Sequence, residues 1–264
     1  GAHKLDIIVI GMEGDKASVS VNIEILEGEF VPILPVEQGV VCWLDSDGYS
    51  NEQKDRTIWV DKSGNGNNGE LIDFNFSTNG WSPIVAEVDK DGNEVTVQYN
   101  GLVCNNDAYV RIPYKPFREN VINGYTMEIV YTPEHSGNDL ARVLEYVDHE
   151  SPYTGVFIDI NEANIKSESE TSMGTVDLDY ESGEIQVDFV IDRENKMCRM
   201  YVNGIVSRYW MLSDSGNTRE SFAIDTDYIY INFSAINPEF RGGTNVVRKF
   251  ICYERALTHD EVIQ

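Results

Sequence analysis

Hydrophobic and polar residues alternate with a period of two along much of the chain, a pattern typical of half-buried β-strands. The clearest example is residues 17–26, where Val19, Val21, Ile23 and Ile25 share one face and polar side chains occupy the other. A second apolar run at residues 5–10 precedes it, and glycines lie between the two. The pattern therefore predicts an N-terminal β-hairpin.

Short strand-like segments recur through the rest of the chain, separated by turn sequences such as Asn203-Gly204. The predicted strands are residues 84–88, 94–99, 108–112, 126–131, 141–147, 154–160, 184–191, 198–206, 228–233 and 246–253. Thr258 and Glu261 have the spacing of a capping box and predict a short C-terminal helix. This succession predicts an all-β fold, a two-sheet antiparallel β-sandwich with an N-terminal hairpin and a short C-terminal helix.

Two prolines, Pro32 and Pro35, interrupt the pattern and predict an extended linker. We therefore expect two regions. Residues 1–38 hold the hairpin and linker, as the tail of a preceding domain or as an edge addition, and residues 39–264 form the sandwich. The chain is expected to be a segment of a longer protein.

Composition narrows the classes of partner. The chain has 264 residues with 41% hydrophobic and 11% aromatic residues, which is enough for a large core. Its 45 acidic and 20 basic residues give a net charge of −25. Such a surface repels phosphate backbones and anionic lipids, so we expect neither nucleic acid as a partner nor insertion into a membrane.

The four cysteines have no metal-binding spacing, which disfavours a thiolate zinc site. Three of them, Cys42, Cys198 and Cys252, lie in apolar runs, as buried free thiols do. Cys104 is the fourth cysteine. The alternative to free thiols is that these four residues form one or two disulfides.

Several local patterns resemble the laminin-G-like jelly rolls of the concanavalin A-like lectin and glucanase superfamily. They are the opening strand at residues 41–45, a W-x-D-x-S-G-N-G-x-x-G corner at residues 59–69, the strand at residues 125–129, and the terminal segments at residues 197–206 and 248–261. Their order covers residues 39–264. The resemblance is to domains found in phage tail and other virion structural proteins and in bacterial adhesins.

The resemblance implies a non-catalytic recognition module that binds carbohydrate or a host-surface receptor. It also implies other virion, tail or cell-surface subunits as partners, and a location in a phage tail virion or at an extracellular surface. Two alternatives remain open, a purely structural assembly module and a glycoside hydrolase of the same fold.

A calcium site is one candidate for chemistry. Asp45, Asp47, Asp61 and Asn65 place carboxylate and amide oxygens in two neighbouring loops, and Ca²⁺ prefers oxygen ligands. The alternative is that the glycines and asparagines of the corner only shape the backbone.

Aromatic residues near turns are the candidate sugar platforms. They are Tyr49, Trp81, Tyr153 and Trp210, and the alternative for each is ordinary partial burial.

An acid pair would be needed for glycoside hydrolysis. The nearest pattern is Glu145, Asp148 and Glu150, but strand alternation places Glu145 on the face opposite to the other two. No catalytic residue is therefore assigned, and we expect a protein that is not an enzyme.

Overall fold

The structure, a computed structural model, divides into two compact units, Gly1–Pro35 and Val36–Gln264. It describes residues 2–10, 16–24, 36–81, 84–88, 94–98, 101–105, 107–113, 124–134, 141–147, 155–166, 172–179, 183–211, 226–237 and 243–263. The sequence pattern predicts this boundary three residues later, between residues 38 and 39.

The first unit is the predicted hairpin. Strands β1 (Ala2–Ile10) and β2 (Lys16–Glu24) pair antiparallel, with Leu5 opposite Val21 and Ile7 opposite Val19. The turn between them lies outside the described residues.

The second unit carries the other described strands and one helix. The strands are β3 (Val40–Asp45), β4 (Ile58–Trp59), β5 (Gly69–Ile72), β6 (Gly80–Trp81), β7 (Ile84–Val88), β8 (Glu94–Gln98), β9 (Leu102–Cys104), β10 (Tyr109–Pro113), β11 (Gly124–Glu134), β12 (Arg142–Val147), β13 (Gly155–Asp159), β14 (Glu162–Lys166), β15 (Ser172–Asp177), β16 (Ile185–Asp192), β17 (Met197–Val202), β18 (Ile205–Met211), β19 (Tyr228–Ile231) and β20 (Thr244–Tyr253). The helix is α1 (His259–Val262).

Two large antiparallel sheets form a sandwich, which confirms the predicted fold class. One sheet, called the eight-strand sheet below, has the order β15-β14-β13-β12-β19-β10-β5-β4. The other has the order β18-β17-β16-β11-β20-β9-β6, and β3 also pairs with β20. Strands β7 and β8 form a separate two-stranded sheet.

The core lies between the two sheets and follows from the period-two pattern. In β16, Ile185, Val187, Phe189 and Ile191 point inward and are buried. Burying one such side chain contributes about 1.5–3 kcal/mol. Strand β12 is buried along its whole length, including the polar residues on its outward face. That outward face matters for function because something must satisfy its polar groups.

The segment at residues 198–206, predicted as a strand that contains an Asn203-Gly204 turn, is divided at that turn. The chain forms two strands, β17 and β18, joined at Asn203-Gly204, where both residues have positive φ angles of 51° and 75°. This is the conformation that an Asn-Gly hairpin turn requires. The turn signal therefore outweighs the hydrophobic continuity of the segment.

Two further predictions are confirmed. Thr258 and Glu261 form a reciprocal capping box at the start of α1. All four cysteines are buried and free. Among the described residues, no helix is long and apolar enough to cross a membrane.

Candidate functional site

The glycine- and asparagine-rich corner after β4 is organised by the carboxylate of Asp61. Its Oδ1 accepts hydrogen bonds from the backbone N–H groups of Trp43 at 2.8 Å and Ser63 at 2.9 Å, and its Oδ2 accepts one from Asn67 at 2.9 Å. Gly64 and Gly66 have φ angles of 85° and 80°, which only glycine adopts without strain. Asp61 therefore ties this loop to β3.

Of the other predicted calcium ligands, Asp45 and Asn65 are also engaged, and the Asp47 side chain is exposed. Asp45 accepts a hydrogen bond from the Asp47 backbone at 2.8 Å and lies 3.7 Å from the Lys62 ammonium. The Asn65 amide donates to Val40 and Ser63. No group of three or more His, Cys, Asp or Glu side chains suited to a metal is found in the part of the chain that the structure describes. A calcium ion here stays a prediction.

Tyr49 and Trp81 lie together. Their ring centroids are 4.3 Å apart, and the Trp81 ring also packs edge-on against Trp59. Trp81 is only 1% exposed, and its indole N–H donates to the Arg56 carbonyl at 2.7 Å. Tyr49 is half-buried, and its hydroxyl accepts from the Val60 N–H. In this arrangement Trp81 anchors the end of the core and presents no ring face to a ligand.

The remaining predicted ring platforms are not tested. Tyr153 lies outside the described residues. The backbone of Trp210 pairs with Cys198 in the β17–β18 hairpin, but its side chain is outside the description. Asp148 and Glu150, two members of the predicted acid pattern, are also outside it.

The third member, Glu145, belongs to a continuous row of side chains that crosses the outward face of the eight-strand sheet. Strand pairing aligns one residue from each strand. In order, the row is Ile58, Glu70, Arg111, Tyr230, Glu145, Phe157, Asn164 and Thr175. Residues paired directly across antiparallel strands have side chains in contact range, so the row forms one surface.

Four aromatic rings cluster at the centre of this row, and one of them, Tyr230, belongs to the row itself. They are Tyr109, Tyr228, Tyr230 and Phe233, and we call them the aromatic cluster. Tyr109 stacks on Phe233 with centroids 4.2 Å apart, and Tyr230 lies 5.2 Å from Phe233 and 6.0 Å from Tyr228. All four rings are half-buried, so each retains solvent contact.

Arg111 borders the aromatic cluster. Its guanidinium carbon lies 5.0 Å from the centre of the Tyr228 ring, and its Nε pairs with the Glu70 carboxylate. Burial raises the pKa of Tyr230, with the neighbouring Tyr109 and the Glu145 carboxylate adding to the shift. The Tyr230 hydroxyl therefore stays protonated and can both donate and accept a hydrogen bond at neutral pH.

On the other side of Tyr230 lies a buried ionic group, the acid–arginine cluster of Arg142, Glu145 and Asp159. The Arg142 Nε lies 2.8 Å from Asp159 Oδ1, and its Nη1 lies 3.5 Å from Glu145 Oε2. Its guanidinium also covers the Phe157 ring at 4.2 Å. Burial raises the pKa of Asp159 to about 7, although the Arg142 charge opposes that shift.

Glu145 is fully buried and held from a neighbouring loop. Its Oε2 accepts from the Ser234 hydroxyl at 2.6 Å, and its Oε1 accepts from the Ala235 backbone N–H at 2.8 Å. Glu145 thus fixes the loop after β19, which carries Phe233 of the aromatic cluster. The acid–arginine cluster positions the aromatic cluster beside it.

The sequence contains a pattern that indicates this face, although the predicted sugar platforms are limited to aromatic residues near turns. The runs Tyr-Ile-Tyr-Ile at 228–231 and Tyr-Val-Arg-Ile at 109–112 alternate aromatic or cationic residues with aliphatic ones. Such alternation places the tyrosines and Arg111 on one face of each strand. What the sequence does not contain is the order of strands, which makes β10 and β19 neighbours.

Comparison with known proteins gives a fold and no family. No family model matches the chain, and no curated protein matches it either. Solved structures do match. The binding domain of botulinum neurotoxin DC, solved with rat synaptotagmin II, is 10% identical with a TM-score of 0.55, over 86% of this chain and 51% of that one.

Two further matches have the same character. A structure described as showing that cell entry of botulinum neurotoxin type C depends on two ganglioside molecules is 11% identical, with a TM-score of 0.55, over 86% of this chain and 50% of that one. Trypanosoma rangeli sialidase, in complex with the inhibitor DANA, is 16% identical with a TM-score of 0.56, over 87% of this chain and 33% of the sialidase chain. The chain thus spans between 33% and 51% of the length of these proteins, and the shared property is the β-sandwich fold.

Proposed function

We propose that this domain is a non-catalytic carbohydrate-recognition module that binds its ligand on the outward face of the eight-strand sheet. The observation that carries the proposal is the aromatic cluster, four half-buried rings flanked by hydrogen-bonding groups on both sides. Two of the similar solved structures, a neurotoxin described with gangliosides and a sialidase bound to an inhibitor, are consistent with it.

The chemistry suits a sugar because each sugar ring has an apolar C–H face and a rim of hydroxyl groups. An aromatic ring packs against the C–H face, and nearby polar side chains fix the hydroxyls. Here the Tyr228 and Tyr230 hydroxyls and the exposed Arg111–Glu70 pair supply donors and acceptors around the rings.

The described carboxylates of this face favour binding over hydrolysis. Glu145 is completely buried, and both of its oxygens accept hydrogen bonds from the loop after β19. Asp159 is 4% exposed and paired with Arg142. A general acid and a nucleophile must instead reach the glycosidic bond from both sides.

Glycan hydrolysis is the competing function, and the raised pKa of Asp159 is the observation in its favour. Incubation with labelled oligosaccharides decides between them. We expect no cleavage products from the parent protein. If the parent protein forms cleavage products and the Asp159→Asn variant does not, the function is glycan hydrolysis and the recognition proposal fails.

The biological setting we propose is a phage tail or virion protein, or a cell-surface protein, that recognises host glycans. It rests on the four sequence patterns that resemble modules of those proteins. The competing proposal is a purely structural assembly module. Binding of the domain to intact host cells, lost after glycosidase treatment of the cells, separates recognition from assembly.

The direct test is a glycan array probed with the purified chain, followed by affinity measurements on the strongest ligand. We expect Tyr230→Ala and Tyr228→Ala each to weaken binding about tenfold, which corresponds to about 1.4 kcal/mol. Tyr209→Ala is the matched control, because Tyr209 is a 68% exposed tyrosine on β18 of the other sheet. An array without any bound glycan, or equal losses in all three variants, would refute the proposal.

A further inference from the structure

We infer that the ligand of this face is a neutral glycan, and that sialylated or sulfated glycans are rejected. The inference rests on the proposed function and specifies its substrate class. It comes from the charges along the row of outward side chains and from the partners that those charges already have.

Both described guanidinium groups of the face are already paired. Arg111 holds the Glu70 carboxylate through its Nε. Arg142 is 4% exposed, lies between Glu145 and Asp159, and covers the Phe157 ring. Recognition of a carboxylate or sulfate relies on charge-assisted donors such as arginine, and here the Glu70 carboxylate already offsets the charge of Arg111.

Carboxylates outnumber these cations. The next cross-strand row places Arg142 opposite Asp159, Asp159 opposite Glu162, and Glu162 opposite Asp177. Glu162 accepts a hydrogen bond from the Asn164 amide. Among the described residues, neither Glu162 nor Asp177 has an ion pair. Among the described residues, this face therefore carries more carboxylates than cations, on a chain whose net charge is −25.

A sugar carboxylate that approaches this face is repelled by the carboxylates of Glu162 and Asp177. On the other side of the aromatic cluster it meets Arg111, which is already paired with Glu70. Like charges about 8 Å apart near a protein surface repel by an energy comparable with thermal energy or larger, which is enough for several-fold discrimination. A neutral glycan meets no such repulsion. Its hydroxyls donate hydrogen bonds to carboxylates, and they both donate to and accept from tyrosine hydroxyls.

The experiment compares matched glycans that differ only in one charge. The probes are an N-acetyllactosamine-terminated chain, the same chain with terminal sialic acid, and its sulfated form. We expect the parent protein to bind the neutral member at least fivefold more tightly than either acidic member. Raising NaCl from 50 mM to 500 mM should narrow that ratio, because salt screens the repulsion.

A charge variant tests the assignment to Arg111. Glu70→Gln removes the carboxylate and leaves the Arg111 guanidinium available, so binding of the acidic chains should improve at least fivefold. Glu184→Gln is the matched control. It frees Arg248 beside the other sheet, and that pair has side-chain exposures of 41% and 45%, close to the 38% and 45% of Arg111 and Glu70.

The possible failures are distinguishable. If no glycan in any charge class binds, the proposed function fails. If glycans bind but the parent prefers sialylated or sulfated members, the neutral-ligand inference fails and the proposed function stands. An unchanged selectivity in Glu70→Gln would overturn the role of the Arg111–Glu70 pair.

Discussion

The Arg142 Nε lies 2.8 Å from Asp159 Oδ1 on the outward face of the eight-strand sheet, where each residue is only 4% exposed. A buried pair of this kind is weak evidence for stability, since removing two charges from water costs about as much as their attraction returns. Removing one partner is strongly destabilising, because the remaining buried charge then has no counter-charge.

We therefore expect Arg142→Met to lower the free energy of unfolding by about 3–5 kcal/mol. The variant leaves Glu145 and Asp159 buried without their cation. Urea denaturation measures the loss. Arg248→Met, which breaks the exposed pair with Glu184, should cost less than about 1 kcal/mol. Equal losses in the two variants would contradict the buried character of the Arg142 cluster.

Asp159 should also make the domain less stable as pH rises from about 4 to about 7. Its folded-state pKa is raised to about 7 from 3.8, mainly by burial, with Arg142 opposing and Glu162 and Glu145 adding to the shift. The unfolded chain therefore loses this proton first, and stability that is complete below the unfolded pKa disappears towards the folded pKa.

Asp159→Asn removes this titration, so its stability should change less between pH 4 and pH 7.5 than that of the parent. Asp188, whose pKa is also raised by burial, contributes in the same direction in both proteins. Glu261, whose pKa is lowered from 4.5 to about 2 by Arg255, acts in the opposite direction at the acidic end of this range, and it does so in both proteins. Parallel curves for parent and variant would show that Asp159 does not titrate in this range.

Asp61→Ala should destabilise the domain by about 2–4 kcal/mol, because three backbone N–H groups lose their acceptor. Asp47→Ala is the control, since the Asp47 side chain is exposed. Thermal unfolding of the parent in calcium and in EDTA tests the predicted metal site, and equal Tm values would refute it. A rise in Tm with calcium concentration would instead establish the metal site.

The four thiols should not react with Ellman's reagent in the native state. Burial raises the pKa of Cys198 to about 12, and it raises the pKa values of Cys42, Cys104 and Cys252 as well. The reactive thiolate is therefore scarce, and reagent access is blocked. We expect about four reactive thiols after denaturation. Rapid reaction of the folded protein, or fewer thiols in denaturant, would contradict the free and buried state.

Local rules in the sequence predict the fold well. The Asn203-Gly204 turn, the capping box of Thr258 and Glu261, and the alternation in β16 each depend on residues close in the chain. Strands β14 and β15 escaped prediction because Glu162–Lys166 is short and polar on one face, and Ser172–Asp177 has only Met173 and Val176 as apolar side chains. Hydrogen bonding of β14 to β13 and of β15 to β14 stabilises these strands, although their intrinsic β-propensity is low.

The site is harder to predict because it depends on strand order. Trp81 follows a turn-rich segment, yet it packs on Tyr49 and Trp59 at the end of the core. Glu145 and Tyr230 are 85 positions apart in the chain, and only the pairing of β12 with β19 makes them neighbours. No periodicity within either segment encodes that adjacency.

Strand β20 has a consequence for synthesis of the protein on the ribosome. It pairs with β11 along one edge and with both β9 and β3 along the other. Without β20, no described strand connects β11 to β9 and β3 in this sheet. A nascent chain that has not yet released Thr244–Tyr253 exposes the edges of β11 and β3 together. Such edges invite aggregation, and their long-range closure is slow. We therefore expect folding of this domain to wait for the last described strand, while the excess of negative charge keeps incomplete chains apart.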